Sequence, residues 1–160
     1  MKFDLRRFFK VLLIAIIVLN LAFIYSRSLK SPEESTAESD KAGEIVGEII
    51  PPETPVGGYV QDNIRKLAHF TEFFVLGVFA SLYVIFYTKG YKYPIYSLLF
   101  GFVSAFIDET VQVFSGRGAS VTDVWIDLLG FAASSAIIYT VYYLTVYIYN
   151  KRKQKLTNNG

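Results

Sequence analysis

The chain has no cysteine among its 160 residues, which excludes disulfide bonds, thiolate metal sites and cysteine nucleophiles. It also has only one His, one Met and one Trp. Charged residues make up 19% of the sequence, and the formal net charge is +2. So small a positive excess argues against nucleic acid as a partner. The abundant residues are hydrophobic, at 52%, and their placement along the chain decides the class of protein.

Four long apolar runs dominate the sequence, and they cover residues 8–25, 67–87, 94–114 and 125–149. A helix needs about 20 apolar residues to cross the hydrocarbon of a membrane. Barrel strands would instead alternate in polarity, and none of the four runs does so. The pattern predicts an all-α integral membrane protein, a bundle of four transmembrane helices. The first run resembles a signal peptide, but its length and the absence of a small-residue cleavage site favour an uncleaved anchor.

The basic residues predict the orientation of this bundle. Ten of them lie before or at the start of the first run, between the second and third runs, or after the fourth, and six lie on the opposite side. Because basic residues accumulate on the cytoplasmic side, we expect both termini to be cytoplasmic. The chain then divides into a basic N-terminus with the first span (1–25), an extracytoplasmic loop (26–64), a core of three spans (65–149) and a basic cytoplasmic tail (150–160).

The extracytoplasmic loop is acidic and has two interpretations. Ser39 or Asp40 could cap a short helix whose apolar residues recur at near-helical spacing, and Pro51-Pro52 would end it. Such a helix would lie on the membrane surface. The other interpretation is a solvated acidic linker.

Polar and ionisable residues gather near the outer ends of the last three spans. An Asp at the centre of a membrane helix costs about 2.5–3.5 kcal/mol, so such residues are functional candidates. We predict acid–base roles for four of them: His69, Glu72, Asp108 and Glu109. We predict that six others bind a substrate: Lys66, Gln112, Arg117, Ser120, Asp123 and Asp127.

Each of these residues also has a structural interpretation. His69 could hold the helices together by bonding Glu72, three residues further along the same helix, or another carboxylate. Asp108 and Glu109 could be buried partners of Lys66 and Arg117. Ser120, Thr122 or Asp123 could cap the fourth helix. Asp108, Glu109 and Asp123 could bind Mg²⁺ or Ca²⁺ through their oxygens, and one His with several carboxylates is compatible with Zn²⁺. Their spacing is not that of a standard zinc motif, so we expect no metal and no cofactor.

The spacing of these residues resembles that of the VanZ-like family of bacterial membrane proteins. One motif reads Lys66-x-x-His69-x-x-Glu72, and a second reads Asp108-Glu109-x-x-Gln112 and continues through Gly116-Arg117, Ser120, Asp123 and Gly130. Asp127 stands where the family usually has Asn. The resemblance implies a small helical protein of the cell membrane that is linked to resistance against glycopeptide antibiotics such as teicoplanin.

Two functional hypotheses follow. In the first, an outer-leaflet polar site binds or modifies a lipid-linked or anionic cell-wall molecule, with Arg117 and Lys66 holding the head group and His69 and Glu72 exchanging protons. In the second, the protein is a non-enzymatic binding or interaction module, and the polar cluster only holds the helices together. In both, the membrane lipid bilayer is the surrounding partner.

Overall fold

The computed structural model describes residues 4–88, 94–118 and 120–158, with side chains to residue 156. These residues form six α-helices and no strand: α1 (Leu5–Ser28), α2 (Pro32–Ile49), α3 (Pro55–Asp62), α4 (Ile64–Tyr87), α5 (Ile95–Phe114) and α6 (Val121–Asn158). The four helices α1, α4, α5 and α6 are long and apolar enough to cross a membrane. The predicted all-α fold with four membrane-spanning helices is confirmed. Three basic residues used to predict the orientation lie outside the described residues: Lys2, Lys89 and Lys92.

The bundle is centred on the packing of α4 against α6, with α1 and α5 alongside. Six buried side chains form its core: Ile24, Phe73, Leu76, Ala80, Ala105 and Phe131. Small residues let α4 and α6 approach closely, because a Cβ added at Gly130 would collide with the backbone of Phe70. Many Leu, Ile, Val and Phe side chains point outwards, as expected of a surface that faces lipid.

The helices extend beyond the predicted apolar runs. α1 continues to Ser28, so residues 26–28, assigned above to the extracytoplasmic loop, belong to the first helix. α4 begins at Ile64, and α6 begins at Val121 and continues to Asn158 instead of ending at residue 149. Polar residues are compatible with helical backbone where a helix leaves the hydrocarbon, so hydropathy alone underestimates these lengths.

The acidic segment is helical, although its predicted start is wrong. Ser31 rather than Ser39 or Asp40 caps α2, because the Ser31 Oγ accepts from the backbone N–H of Glu34 and the Glu34 carboxylate accepts from that of Ser31. The helix ends at Ile49, before Pro51-Pro52 as predicted. A second, unpredicted helix, α3, follows with Thr54 as its cap.

α2 lies over one end of the bundle, where α1 and α5 end and α4 and α6 begin. We call this end the site end. Glu38 of α2 accepts from the ammonium of Lys30 and lies 3.7 Å from the guanidinium of Arg27. The hydrogen bond from Lys30 holds the pKa of Glu38 below its ordinary value. These ion pairs connect α2 to the end of α1.

Candidate functional site

Three of the predicted site residues meet at the site end, each from a different helix. The Nδ1 of His69 on α4 lies 3.1 Å from Oδ1 of Asp127 on α6 and 3.8 Å from Oδ2 of Asp108 on α5. Both Asp side chains are fully buried, whereas the His69 side chain is 12% exposed. We call these three residues the His69 triad.

Asp108 is held in the triad by neighbours on two helices. Ser28 of α1 donates its hydroxyl to Oδ1 of Asp108, and Gln112 donates its amide to Oδ2 at 2.8 Å. Ser28 was not predicted as a site residue because it follows the charged Arg27, in a segment interpreted as loop. The other buried carboxylate is less completely bonded, since Oδ2 of Asp127 has no hydrogen-bond partner among the described residues.

Glu72 is ion-paired with α1. Its Oε1 lies 3.1 Å from Nε of Arg27 on α1. The hydrogen bond of His69 goes to a carboxylate, that of Asp127 on α6, which is one of the two predicted possibilities. Arg27, like Ser28, was not predicted as part of the site.

Lys66 lies apart from the cluster. Its side chain is exposed and its ammonium lies 3.5 Å from the Asn63 Oδ1. Arg65 takes the expected place, with its Nη2 3.3 Å from Oε1 of Gln112 and 3.9 Å from Oδ2 of Asp123. Successive residues of a helix are rotated by about 100°, at 3.6 residues per turn, so Arg65 and its neighbour Lys66 point in different directions. Arg65 lies four residues before His69, and this spacing could have identified Arg65 from the sequence as the residue on the same face.

The loop between α5 and α6 is fastened to α5. The backbone N–H of Ser120 donates to the carboxylate of Glu109, and the Ser120 Oγ accepts from the backbone N–H of Asp123. Ser120 is therefore the residue that caps α6, while Asp123 lies in its first turn. Glu109 is buried, and its partner is the loop backbone rather than the predicted Lys66 or Arg117.

Arg117 is the buried cation of this loop, with only 8% of its surface exposed. The preceding Gly116 has a φ of 77°, a left-handed conformation suited to glycine, and this turn directs the chain back over α5. Burial and the nearby guanidinium of Arg65 lower the pKa of Arg117. Its Nε has no hydrogen-bond partner among the described residues.

A small polar cavity of about 30 Å³ opens beside the triad. Three arginines line it, together with His69, Glu72 and residues of α2. These arginines are Arg27, Arg65 and Arg117. Guanidinium groups bind carboxylates and phosphates in a bidentate manner, and an imidazole exchanges protons near neutral pH. The cavity can therefore accept an anionic group beside a reactive side chain.

A protein-family model described as VanZ/LLP1 matches residues 8–144. The chain belongs to the VanZ/LLP1 family. The match includes part or all of each of the four apolar helices and every residue of the polar cavity, and it confirms the resemblance noted in the motifs. No curated protein and no solved structure matches the chain. Together with its four apolar helices, the family membership makes this VanZ-like protein a multi-pass membrane protein of the cell envelope.

Proposed function

We propose that this VanZ-like protein binds an anionic lipid-linked or cell-wall molecule at the outer face of the plasma membrane and modifies it, and thereby lowers susceptibility to teicoplanin. One observation carries the proposal: three arginines and the only histidine of the chain line one cavity. The family name supplies the link to the antibiotic.

The arginines support an anionic ligand because their charges are unequally balanced. Arg27 is paired with Glu72 and Glu38. Arg65 reaches its nearest carboxylate, that of Asp123, only at 3.9 Å, and Arg117 keeps a buried Nε without a partner among the described residues. Two guanidiniums held near each other repel, and an anion between them would relieve this repulsion and use the free donor.

His69 is the group that we propose reacts with the bound molecule. A carboxylate at Nδ1 fixes the orientation of an imidazole, and it leaves Nε2 to exchange protons with a ligand. Asp127 stands in that position, 3.1 Å from Nδ1. The apolar outer surfaces of the helices beside the cavity suit a molecule whose acyl chain remains in the bilayer while its head group enters the cavity.

The test compares His69→Gln with Thr71→Ala in cells exposed to teicoplanin. The two residues lie two positions apart on α4, but Thr71 is exposed. At equal membrane levels, we expect His69→Gln to be as susceptible as cells without the protein, and Thr71→Ala to protect fully. Full protection by His69→Gln would contradict the proposal. Glu109→Ala should lose protection as well, because it releases the loop that carries Arg117.

A non-enzymatic role remains the second candidate function, and Asp108 favours it. Both of its oxygens are hydrogen-bonded, to Ser28 and Gln112, as in a group that joins helices. Lipid analysis separates the two functions. A lipid or cell-wall precursor whose structure changes only when His69 is present indicates modification. Unchanged lipids together with full protection of the cells indicate binding alone.

A further inference from the structure

We propose that the His69 triad is a binding site for a first-row divalent cation, for which Zn²⁺ is the probe. The proposal rests on the proposed function, since it concerns the same reactive centre, and it assigns that centre a metal. His69, Asp108 and Asp127 each offer one ligand atom, and these atoms lie within 4.8 Å of one another. One imidazole nitrogen and two carboxylate oxygens are donors that Zn²⁺ accepts.

The distances from His69 suit ligands of one ion. Ligand atoms about 2.0–2.2 Å from a tetrahedral Zn²⁺ lie about 3.3–3.6 Å from each other. The Nδ1 of His69 is 3.1 Å from Asp127 and 3.8 Å from Asp108, which brackets this range. The ligand atoms of the two carboxylates lie within 4.8 Å of each other, so binding of one ion requires the carboxylates to close around it.

The charges and an unbonded oxygen support a cation independently of the spacing. Two fully buried carboxylates face one imidazole, so the ionised triad carries a negative charge whether or not His69 is protonated. Oδ2 of Asp127 is buried and has no partner among the described residues. A buried charge or polar atom without a partner is unfavourable. A divalent cation would neutralise both carboxylates and coordinate the unbonded oxygen.

The hydrogen bonds around Asp108 resemble those that hold metal ligands in place in other proteins. Ligating carboxylates are commonly held by outer hydrogen bonds, and Ser28 and Gln112 supply these to Asp108. Because His69 lines the polar cavity, an ion can enter from there and keep a coordination position for the anionic ligand. With His69 as a metal ligand, the proton exchange assigned to His69 above passes to Glu72, which also lines the cavity.

This inference revises the expectation of no metal, which rested on spacing along the sequence. Structural zinc motifs bring ligands together over short spacings. Here the ligands come from α4, α5 and α6, at positions 69, 108 and 127. Their approach depends on how the helices pack, so no short motif exists to be recognised.

The experiment measures metal content in the purified full-length protein in detergent micelles. The protein is stripped with a chelator, equilibrated with Zn²⁺, separated from free ions and analysed by mass spectrometry of the metal. We expect about one Zn²⁺ per chain, as for a protein site that binds tightly. His69→Gln should retain almost none, whereas Thr71→Ala should retain as much as the unchanged protein.

A second variant keeps the test valid should His69→Gln fold poorly. Asp127→Asn preserves the shape of the side chain and removes its charge, and we expect Zn²⁺ affinity to fall at least about tenfold, a loss that even outer partners of a metal can cause. Circular dichroism and gel filtration verify folding. Absence of stoichiometric Zn²⁺, or equal Zn²⁺ affinity in Asp127→Asn, would overturn the metal site. That outcome leaves the teicoplanin test of His69 intact, since His69 then reacts by proton transfer alone.

Discussion

At the scale of single residues, Gly130 sets the distance between α4 and α6. We predict that Gly130→Ala destabilises the protein, because its Cβ would occupy the position of the Phe70 backbone carbonyl. Backbone atoms cannot rotate away as a flexible side chain can, so the two helices must separate. Overpacking of this kind costs about 1–3 kcal/mol. Thermal unfolding in detergent, followed by circular dichroism, measures the loss.

Gly118→Ala is the matched control for this prediction. Nothing lies within 4 Å of a Cβ added at Gly118, so the same chemical change should leave the unfolding temperature nearly unchanged. Equal unfolding temperatures for the two variants would show that α4 and α6 do not approach as closely as the fold requires.

The residues of the site could be predicted more completely than their partners. Residue type and spacing identified all three members of the His69 triad, because ionisable groups are rare in apolar helices. Hydrogen-bond partners depend on the rotation of each helix about its axis, which a single sequence does not reveal. For this reason Lys66 was predicted to join the cluster, whereas the structure places Arg65 beside Gln112. The roles predicted for these residues stay predictions.

At the scale of elements, α2 shows that helix-capping residues can start a helix in a segment whose acidic composition is also typical of a linker. The acidic character of the loop at residues 26–64 left a solvated linker and a short helix as equal interpretations. The capping box formed by Ser31 and Glu34, with Pro32 in the first turn, nevertheless starts a helix there. These signals are visible in the sequence, so the start of α2 could have been predicted. Its position over the site end could not, because it depends on Arg27 and Lys30 at the end of α1.

We predict that acid loosens α2 from the bundle. The pKa of Glu38 lies below its ordinary value of 4.5, chiefly because Lys30 donates a hydrogen bond to it. A lowered pKa means that the ion pairs stabilise the docked helix fully above about pH 4.5, the ordinary value, and lose this effect as the pH falls through the folded-state pKa. Hydrogen exchange of the α2 amides should therefore accelerate below that pH, relative to the intrinsic rate.

Glu38→Gln should raise the exchange rate of α2 already at neutral pH and weaken the response to acid. The increase should not exceed about fivefold, because exposed ion pairs contribute about 0.2–1 kcal/mol. Glu44→Gln is the control, since Glu44 lies on the same helix and is exposed. If both variants exchange like the unchanged protein at every pH, the ion pairs of Glu38 do not hold α2 in place.

At the scale of the whole molecule, the fold class followed directly from hydropathy. Backbone groups in lipid must bond within their own segment, so an apolar run of sufficient length has few alternatives to a helix. All four predicted spans are helices that could cross a membrane. How these helices pack against one another was harder to predict from the sequence. In lipid, packing depends on small residues such as Gly77 and Gly130 rather than on a general hydrophobic force.

The orientation of the bundle decides whether the cavity can reach a molecule of the outer leaflet. The positive-inside rule predicts that the site end faces outwards.

The chain has no cysteine, so a single introduced thiol reports its own side of the membrane. We predict that Glu48→Cys reacts with a membrane-impermeant maleimide on intact cells, and that Lys155→Cys reacts only after permeabilisation. Both positions are exposed in the folded protein, so protein packing does not prevent labelling. The reverse result would turn the arginine-lined cavity towards the cytoplasm and exclude an extracytoplasmic cell-wall molecule as its ligand. The geometry of the His69 triad and its proposed metal would be unaffected.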